Sequence, residues 1–208
     1  EGILPKRVCH CDTKVNNMLF DKSGEVLCVI DLDTVMPSFI FSDYGDFLRT
    51  AANKVAEDSP EIDKVEFDME IFKAFTKGYL ESASSFLTPV EKENLPYAVA
   101  LFPFMQAVRF FADYVNGDTY YRVAYPEHNL VRTRNQMALF RSVMAHKAEM
   151  EIFISFILDV VSTLGYSFIK LFSLLKNAFS SAVYSSSVQM FLHFLRYASE
   201  RFSISSIF

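Results

Sequence analysis

The sequence predicts an α+β domain that is mostly helical, on two observations. Two apolar runs flank a turn near the start, and apolar residues fall at helical spacing from about residue 43 onward. The runs are 17–20 and 25–30, and Asp21-Lys22-Ser23-Gly24 between them is hairpin turn chemistry. Tyr44, Phe47, Leu48 and Ala51 then recur three and four apart, and Ile71, Phe72, Phe75, Tyr79 and Leu80 do the same within 67–87. Thr88-Pro89-Val90-Glu91 sets an N-cap, an N1 proline and a capping-box glutamate in order, so a helix begins there. Pro96 and Pro103 are expected to break or kink the helical stretch beyond that cap, and Asn116-Gly117 to stop it. A last amphipathic helix is expected over 129–151.

A length of 208 residues suits one domain, or one with an appendage. With 20 Lys plus Arg against 25 Asp plus Glu, the net charge of −5 makes a nucleic-acid backbone a poor main partner. Hydrophobic residues at 51% with only 6 glycines and 7 prolines exclude a disordered chain. The 3 cysteines, Cys9, Cys11 and Cys28, are too few and odd for a disulfide framework, which favours a reducing compartment, the cytoplasm by default. The opening EGILPKRVCHCD has neither a charged n-region nor an apolar h-region of secretory type. Because it starts at Glu1 and enters a chemical motif almost at once, a piece of a longer protein is expected.

Composition shifts abruptly after HKAEME, dividing the chain into 1–151 and an apolar, Ser/Phe-rich tail, 152–208. In the tail the only acids are Asp159 and Glu200, against Lys170, Lys176, Arg196 and Arg201. Within it, 152–175 is long enough for a membrane span, although Asp159 would cost about 2.5–3.5 kcal/mol there. A buried helical hairpin and an end translated from an unintended frame are the other readings, and the last is preferred.

Chemistry concentrates in CHCDTKVNNMLF, where His10, Asp12 and Asn17 follow the pattern His-x-Asp-x4-Asn and lead into the hairpin, whose second strand ends in Val29-Ile30-Asp31. Phosphoryl transfer needs a carboxylate beside the acceptor hydroxyl and separate oxygen ligands for magnesium. In that reading Asp12 takes or orients the hydroxyl proton, Asn17 and Asp31 hold metal, and His10 braces the loop. The structural alternative makes Asp12 and Asn17 an Asx turn and a cap. Asn16 reads as structural.

These residues resemble the aminoglycoside phosphotransferase and choline kinase-like family, closest to its N-acetylhexosamine 1-kinase branch. The resemblance covers about 5–151 and rests on HCDTKVNNMLF, VIDLDTVMP, DYGDFLR and RFFADYVNGDTYYRVAYPEHNLVRTRNQ. It implies the C-terminal lobe of a protein kinase-like fold, ATP as phosphoryl donor, Asp12 as catalytic base, and Asn17 and Asp31 as magnesium ligands. In the hexosamine branch, residues matching Arg109 and Tyr120 contact the sugar. The implied product is a sugar 1-phosphate, with choline or an aminoglycoside as competing acceptors. The family's N-terminal lobe, with its phosphate-covering loop and ATP-positioning lysine, has no counterpart here, so activity of this chain alone is not expected; a non-catalytic, membrane-associating lobe is the alternative from another class. Ser38 and Tyr44 stand where the branch commonly has Gly and Phe.

Other candidates rest on the residues themselves. Arg109 lies in the apolar run LFPFMQAVRFFADYV, where a charge needs a partner or pocket, or snorkels at a helix edge. Tyr120 and Tyr121 suit a sugar or a core equally. Asp33 either joins the metal or sugar site or makes an Asx-type loop bond. Asp43 and Asp46 are expected to fix the metal loop through backbone N–H groups. Cys9-His10-Cys11 with Cys28 lacks zinc-site spacing, and His128, His146 and His193 read as surface or core residues.

Overall fold

The computed structural model describes residues 2–160, and the chain divides into two units after Asp159. Four short strands and a set of helices follow in order: β1 (Arg7–Cys9), β2 (Met18–Phe20), β3 (Val26–Val29), β4 (Met36–Ser38), α1 (Phe41–Ala51), α2 (Met69–Ala83), α3 (Pro89–Glu93), α4 (Leu95–Val115), α5 (His128–Ala145) and a last helix, α6, over 147–160. The described residues are therefore α+β and mostly helical. Residues 161–175 of the membrane-candidate run, and the rest of the tail with His193, lie outside them.

β2 and β3 form the expected antiparallel hairpin, with Met18 opposite Val29. Its turn is closed by Asp21, whose Oδ1 accepts from Ser23 N, Ser23 Oγ and Glu25 N at 2.6–2.9 Å. Gly24 sits at φ +89°, a left-handed conformation that side chains disfavour. A second antiparallel pair, β1 with β4, was not anticipated; it matches Cys9 with Met36 and closes the loops between them. Three residues per strand are too short for a period to show. Both hairpin strands are exposed, including Leu19, Phe20, Leu27 and Val29.

The core lies among the helices. Tyr44, Leu48, Phe72, Leu80, Leu95, Val99 and Leu139 are each fully buried. Gly45 allows α1 to lie directly on α4: a Cβ there would sit 2.5 Å from both the Ala98 carbonyl oxygen and Phe102 Cδ2. At Tyr44 the added hydroxyl bonds Thr76 Oγ1 at 2.6 Å, so a polar atom in the core keeps a partner. Ser38, in β4, bonds Ser42 across the entry to α1 at 3.0 Å.

Several element expectations change. The capping box of Thr88 and Glu91 forms, but α3 is a single turn before Asn94, and Pro96 then falls in the first turn of α4, where its missing N–H has no helical partner to lose. Pro103 lies inside α4 and does not end it, because packing against α1 and α5 holds the helix on both sides. Length and composition alone would let α4 cross a membrane, yet here it is the central core helix. The single helix expected over 129–151 is two: His146 N bonds Val143 O at 3.0 Å, ending α5 with a tight turn, and α6 starts with Met150 N on His146 O. That turn lets Met150 and Ile154 reach the core, which Phe153, Ile157 and Leu158 also join. Nor is α5 a simple apolar stripe, since it buries His128, Asn129, Asn135 and Gln136.

Candidate functional site

Asp12 lies in the loop between β1 and the hairpin, and its surroundings fix it from three sides. Oδ2 accepts from Lys14 Nζ at 2.9 Å and from Asn17 Nδ2 at 2.9 Å, while Asn17 Nδ2 also donates to the Asp12 carbonyl at 2.8 Å. Among the described residues no protein donor reaches Oδ1 of Asp12, which is left for a ligand. His10 braces the same loop: Nδ1 accepts from the Asp12 N–H at 3.3 Å, leaving Nε2 to donate to the Ile30 carbonyl at 2.9 Å. This ties the loop to the end of β3, one residue before Asp31. Thr34 Oγ1 adds a bond to the His10 carbonyl at 2.7 Å from beyond Asp31.

The base of the loop rests on α1. Asp43 accepts from His10 N at 2.9 Å and Cys11 N at 2.8 Å, and its carbonyl takes Thr13 Oγ1 at 2.6 Å. Cys11 sits at φ +66°, a strained geometry for a non-glycine residue, which these bonds stabilise. So Asp43 does bind backbone N–H groups, but those of the Asp12 loop rather than the 31–34 segment. Asp46 departs further from expectation. It is buried one turn along α1 and pairs with Arg49 Nε at 2.8 Å, since a carboxylate buried at that depth needs a cation. Arg49 in turn holds Glu57.

Electrostatics follow the same contacts. Burial pushes the Asp46 carboxyl up, with the Arg49 charge opposing it. Burial works to lower Lys14, but the hydrogen bond and charge of Asp12, with Asp31 and Asp46, raise it overall. The Cys9 thiol, buried beside Asp43, is pushed up to about 11 and stays protonated near neutrality.

Asn17 and Asp31 offer what magnesium prefers. Asn17 is buried and its amide nitrogen is committed to Asp12, which leaves the carbonyl oxygen as its available donor. Asp31 is exposed at φ +66°, and the Ile30 N bond to Asn17 O at 2.9 Å keeps the two segments side by side. Among the described residues no group of three His, Cys, Asp or Glu suits a metal. Two oxygen ligands completed by phosphate and water are nevertheless a usual way to hold magnesium, so the donor set fits.

A cavity of about 450 Å³ joins this loop to α4 and α5. Asp12, Lys14, Asp46 and Arg49 line one side, and Gln106, Arg109, Tyr120, Tyr121, Arg122 and Arg132 line the other. Arg109 is exposed on α4, bonded to Gln106 at 3.3 Å, with its guanidinium 6.0 Å from the Tyr120 ring and 5.7 Å from the Tyr121 ring. The structure thus gathers Asp12, Arg109 and Tyr120 at one cavity. Asp33 does not line it; that side chain is exposed in the 3-10 turn Leu32–Thr34. Lys14, Arg49, Glu57 and Arg132 were missed. Lys14 two residues past Asp12 was a legible signal, whereas Glu57 and Arg132 join only through tertiary folding.

Residues 3–80 match the model of the phosphotransferase enzyme family. That segment carries the Asp12 loop, the hairpin, β4, α1 and most of α2. The match supports a phosphotransferase of the kinase-like type.

Proposed function

We propose that this chain is the C-terminal lobe of a kinase-like fold in an ATP-dependent phosphotransferase, acting in the cytoplasm on a sugar hydroxyl, with an N-acetylhexosamine and its 1-phosphate as acceptor and product. One observation carries the reading: the carboxylate with a free oxygen, Asp12, opens onto the same cavity as Arg109 and Tyr120. Asp12 Oδ1 takes the acceptor O–H proton as the hydroxyl oxygen bonds the γ-phosphorus and the bond from that phosphorus to its bridging oxygen breaks. Lys14 and Asn17 keep the carboxylate oriented for this, and Arg109 with Tyr120 positions the sugar. Asn17 and Asp31 would hold magnesium, which when bound offsets phosphate charge.

Charge supports the acceptor class. Lys14, Arg49, Arg109, Arg122 and Arg132 line the cavity against Asp12, Asp46 and Glu57, and the last two are already paired with Arg49. A cationic acceptor such as choline or an aminoglycoside meets repulsion there, while a neutral sugar with hydroxyl and amide groups does not. Ligand-observed NMR with N-acetylglucosamine, N-acetylgalactosamine, choline and kanamycin tests this. Binding of the two sugars that Arg109→Ala weakens is the expected result, together with Asp12-dependent transfer from Mg-ATP by the protein that carries this chain. Binding of choline or kanamycin alone would overturn the sugar assignment.

A further inference from the structure

The loop that carries Tyr120 is organised around one buried carboxylate one turn beyond Arg109 on α4. Asp113 is only 6% exposed. Its Oδ1 accepts from Thr119 N at 3.0 Å and Tyr120 N at 2.8 Å, and its Oδ2 accepts from Tyr121 N at 2.9 Å and Asn129 Nδ2 at 2.9 Å. Its own carbonyl takes Asp118 N at 2.9 Å. Three successive backbone N–H groups converging on one oxygen pair form an anion nest, filled here by a side chain of the same protein. Gly117 at φ +86° and Asp118 at φ +56° turn the chain back to make that possible. Asn129, fully buried on α5, completes it by also donating to Asp118 Oδ1 at 2.8 Å.

We propose that Asp113, with Asn129, is a positioning residue that sets the acceptor-binding face of the site: it fixes the 118–121 backbone so that Tyr120 stands against Arg109. This rests on the acceptor reading above, since it acts through Tyr120. The carboxylate cannot be replaced by its nearest isostere. In Asp113→Asn one oxygen becomes an NH₂, which faces either two backbone donors or a backbone donor and the Asn129 amide, so at least one N–H loses its partner.

Two readouts test it. Amide hydrogen exchange of Asp113→Asn should show lost protection at Thr119, Tyr120 and Tyr121, with protection retained at Phe110 in the core of α4. N-acetylhexosamine affinity should fall about tenfold or more, the scale of a hydrogen-bonded charge. In a Tyr120→Ala background the same substitution should cost little further affinity, because its effect has already been removed. If Asp113→Asn fails to fold, Gly117→Ala strains the loop from its exposed end and should weaken acceptor binding in the same direction. Unchanged exchange at 119–121, or additive losses with Tyr120→Ala, would overturn the proposal. Absence of any acceptor binding by the unaltered protein would count against the sugar reading instead, and exchange would still decide whether Asp113 holds the loop.

Discussion

Asn17 holds Asp12 twice with one amide group, donating from Nδ2 to the carbonyl at 2.8 Å and to the carboxylate at 2.9 Å. The segment 12–17 is thereby closed on the group proposed as base, and the other end of the same amide is left to metal. Asn17→Ala removes both functions. Transfer by the protein carrying this chain is expected to fall by about 10²-fold or more, with a stability loss of about 1–3 kcal/mol for the lost bonds at a buried position. Steady-state kinetics across a magnesium titration, beside urea unfolding, measures both; a stability loss without a rate loss would make Asn17 a structural cap only.

Arg49 neutralises Asp46 inside the protein, with the guanidinium 5% and the carboxylate 9% exposed. Arg49→Met leaves that carboxylate buried without its cation, and a loss of about 3–5 kcal/mol is expected. The pH dependence has a definite sign. Burial already holds the Asp46 carboxyl above its ordinary value, and Arg49 is what restrains the shift. A folded-state value above the unfolded one means stability is greatest below the unfolded value and declines as pH rises through the folded one. The variant should therefore unfold more easily as pH climbs from about 4 toward neutrality, more steeply than the unaltered protein. Chemical unfolding at a series of pH values reads this directly.

Gly45 sets the separation of the two helices that carry opposite sides of the cavity, α1 with Asp46 and Arg49 and α4 with Arg109. Because its Cβ position lies 2.5 Å from the Ala98 carbonyl, the obstacle to Gly45→Ala is backbone and cannot rotate away. The helices must part, at about 1–3 kcal/mol. A lower melting temperature together with weaker acceptor binding is expected; an unchanged melting temperature would show that the contact relaxes freely.

How much of this was legible in the sequence depends on how local each feature is. The hairpin turn, the Thr88–Glu91 cap and the stop at Asn116-Gly117 were readable because a few neighbouring residues determine them. The β1–β4 pair was not, since three-residue strands 27 or more positions apart carry no period of their own. Pro103 misled because its cost inside a helix is local while the packing that offsets it is tertiary. The site divides the same way. His10, Asp12 and Asn17 sit within eight residues and were found as a motif, and Arg109 was found as a charge in an apolar run. Asp46 and Arg49 both lie within DYGDFLR, three residues apart, but the burial that makes them a pair is set by tertiary packing and does not show in that motif. Asp113 carries no signal in the sequence, because the three N–H groups that it binds reach it only once the loop has folded.

Glu91 links α3 to the strand that leads into the Asp12 loop. Arg7 in β1 reaches its carboxylate through Nε at 3.0 Å and Nη2 at 2.9 Å, and Thr88 N donates to it at 2.8 Å. The Arg7 hydrogen bond foremost, then the Thr88 donors, hold the Glu91 carboxyl below its ordinary 4.5. For an acid held low in the folded state, the stabilisation is complete above the unfolded value and disappears as pH falls through the folded one. The unaltered protein should lose this contribution below pH 4.5, the ordinary carboxyl value. Glu91→Gln lacks the titration, so its stability is lower near neutrality and its acid limb flatter. Arg7→Met leaves Glu91 with the Thr88 donors alone, so its acid loss should still begin near the ordinary carboxyl value but be smaller and finish at higher pH. Urea midpoints from about pH 7 down to about pH 2 separate the three proteins. Parallel curves for all three would mean that β1 is held by its pairing with β4 and not by this fork.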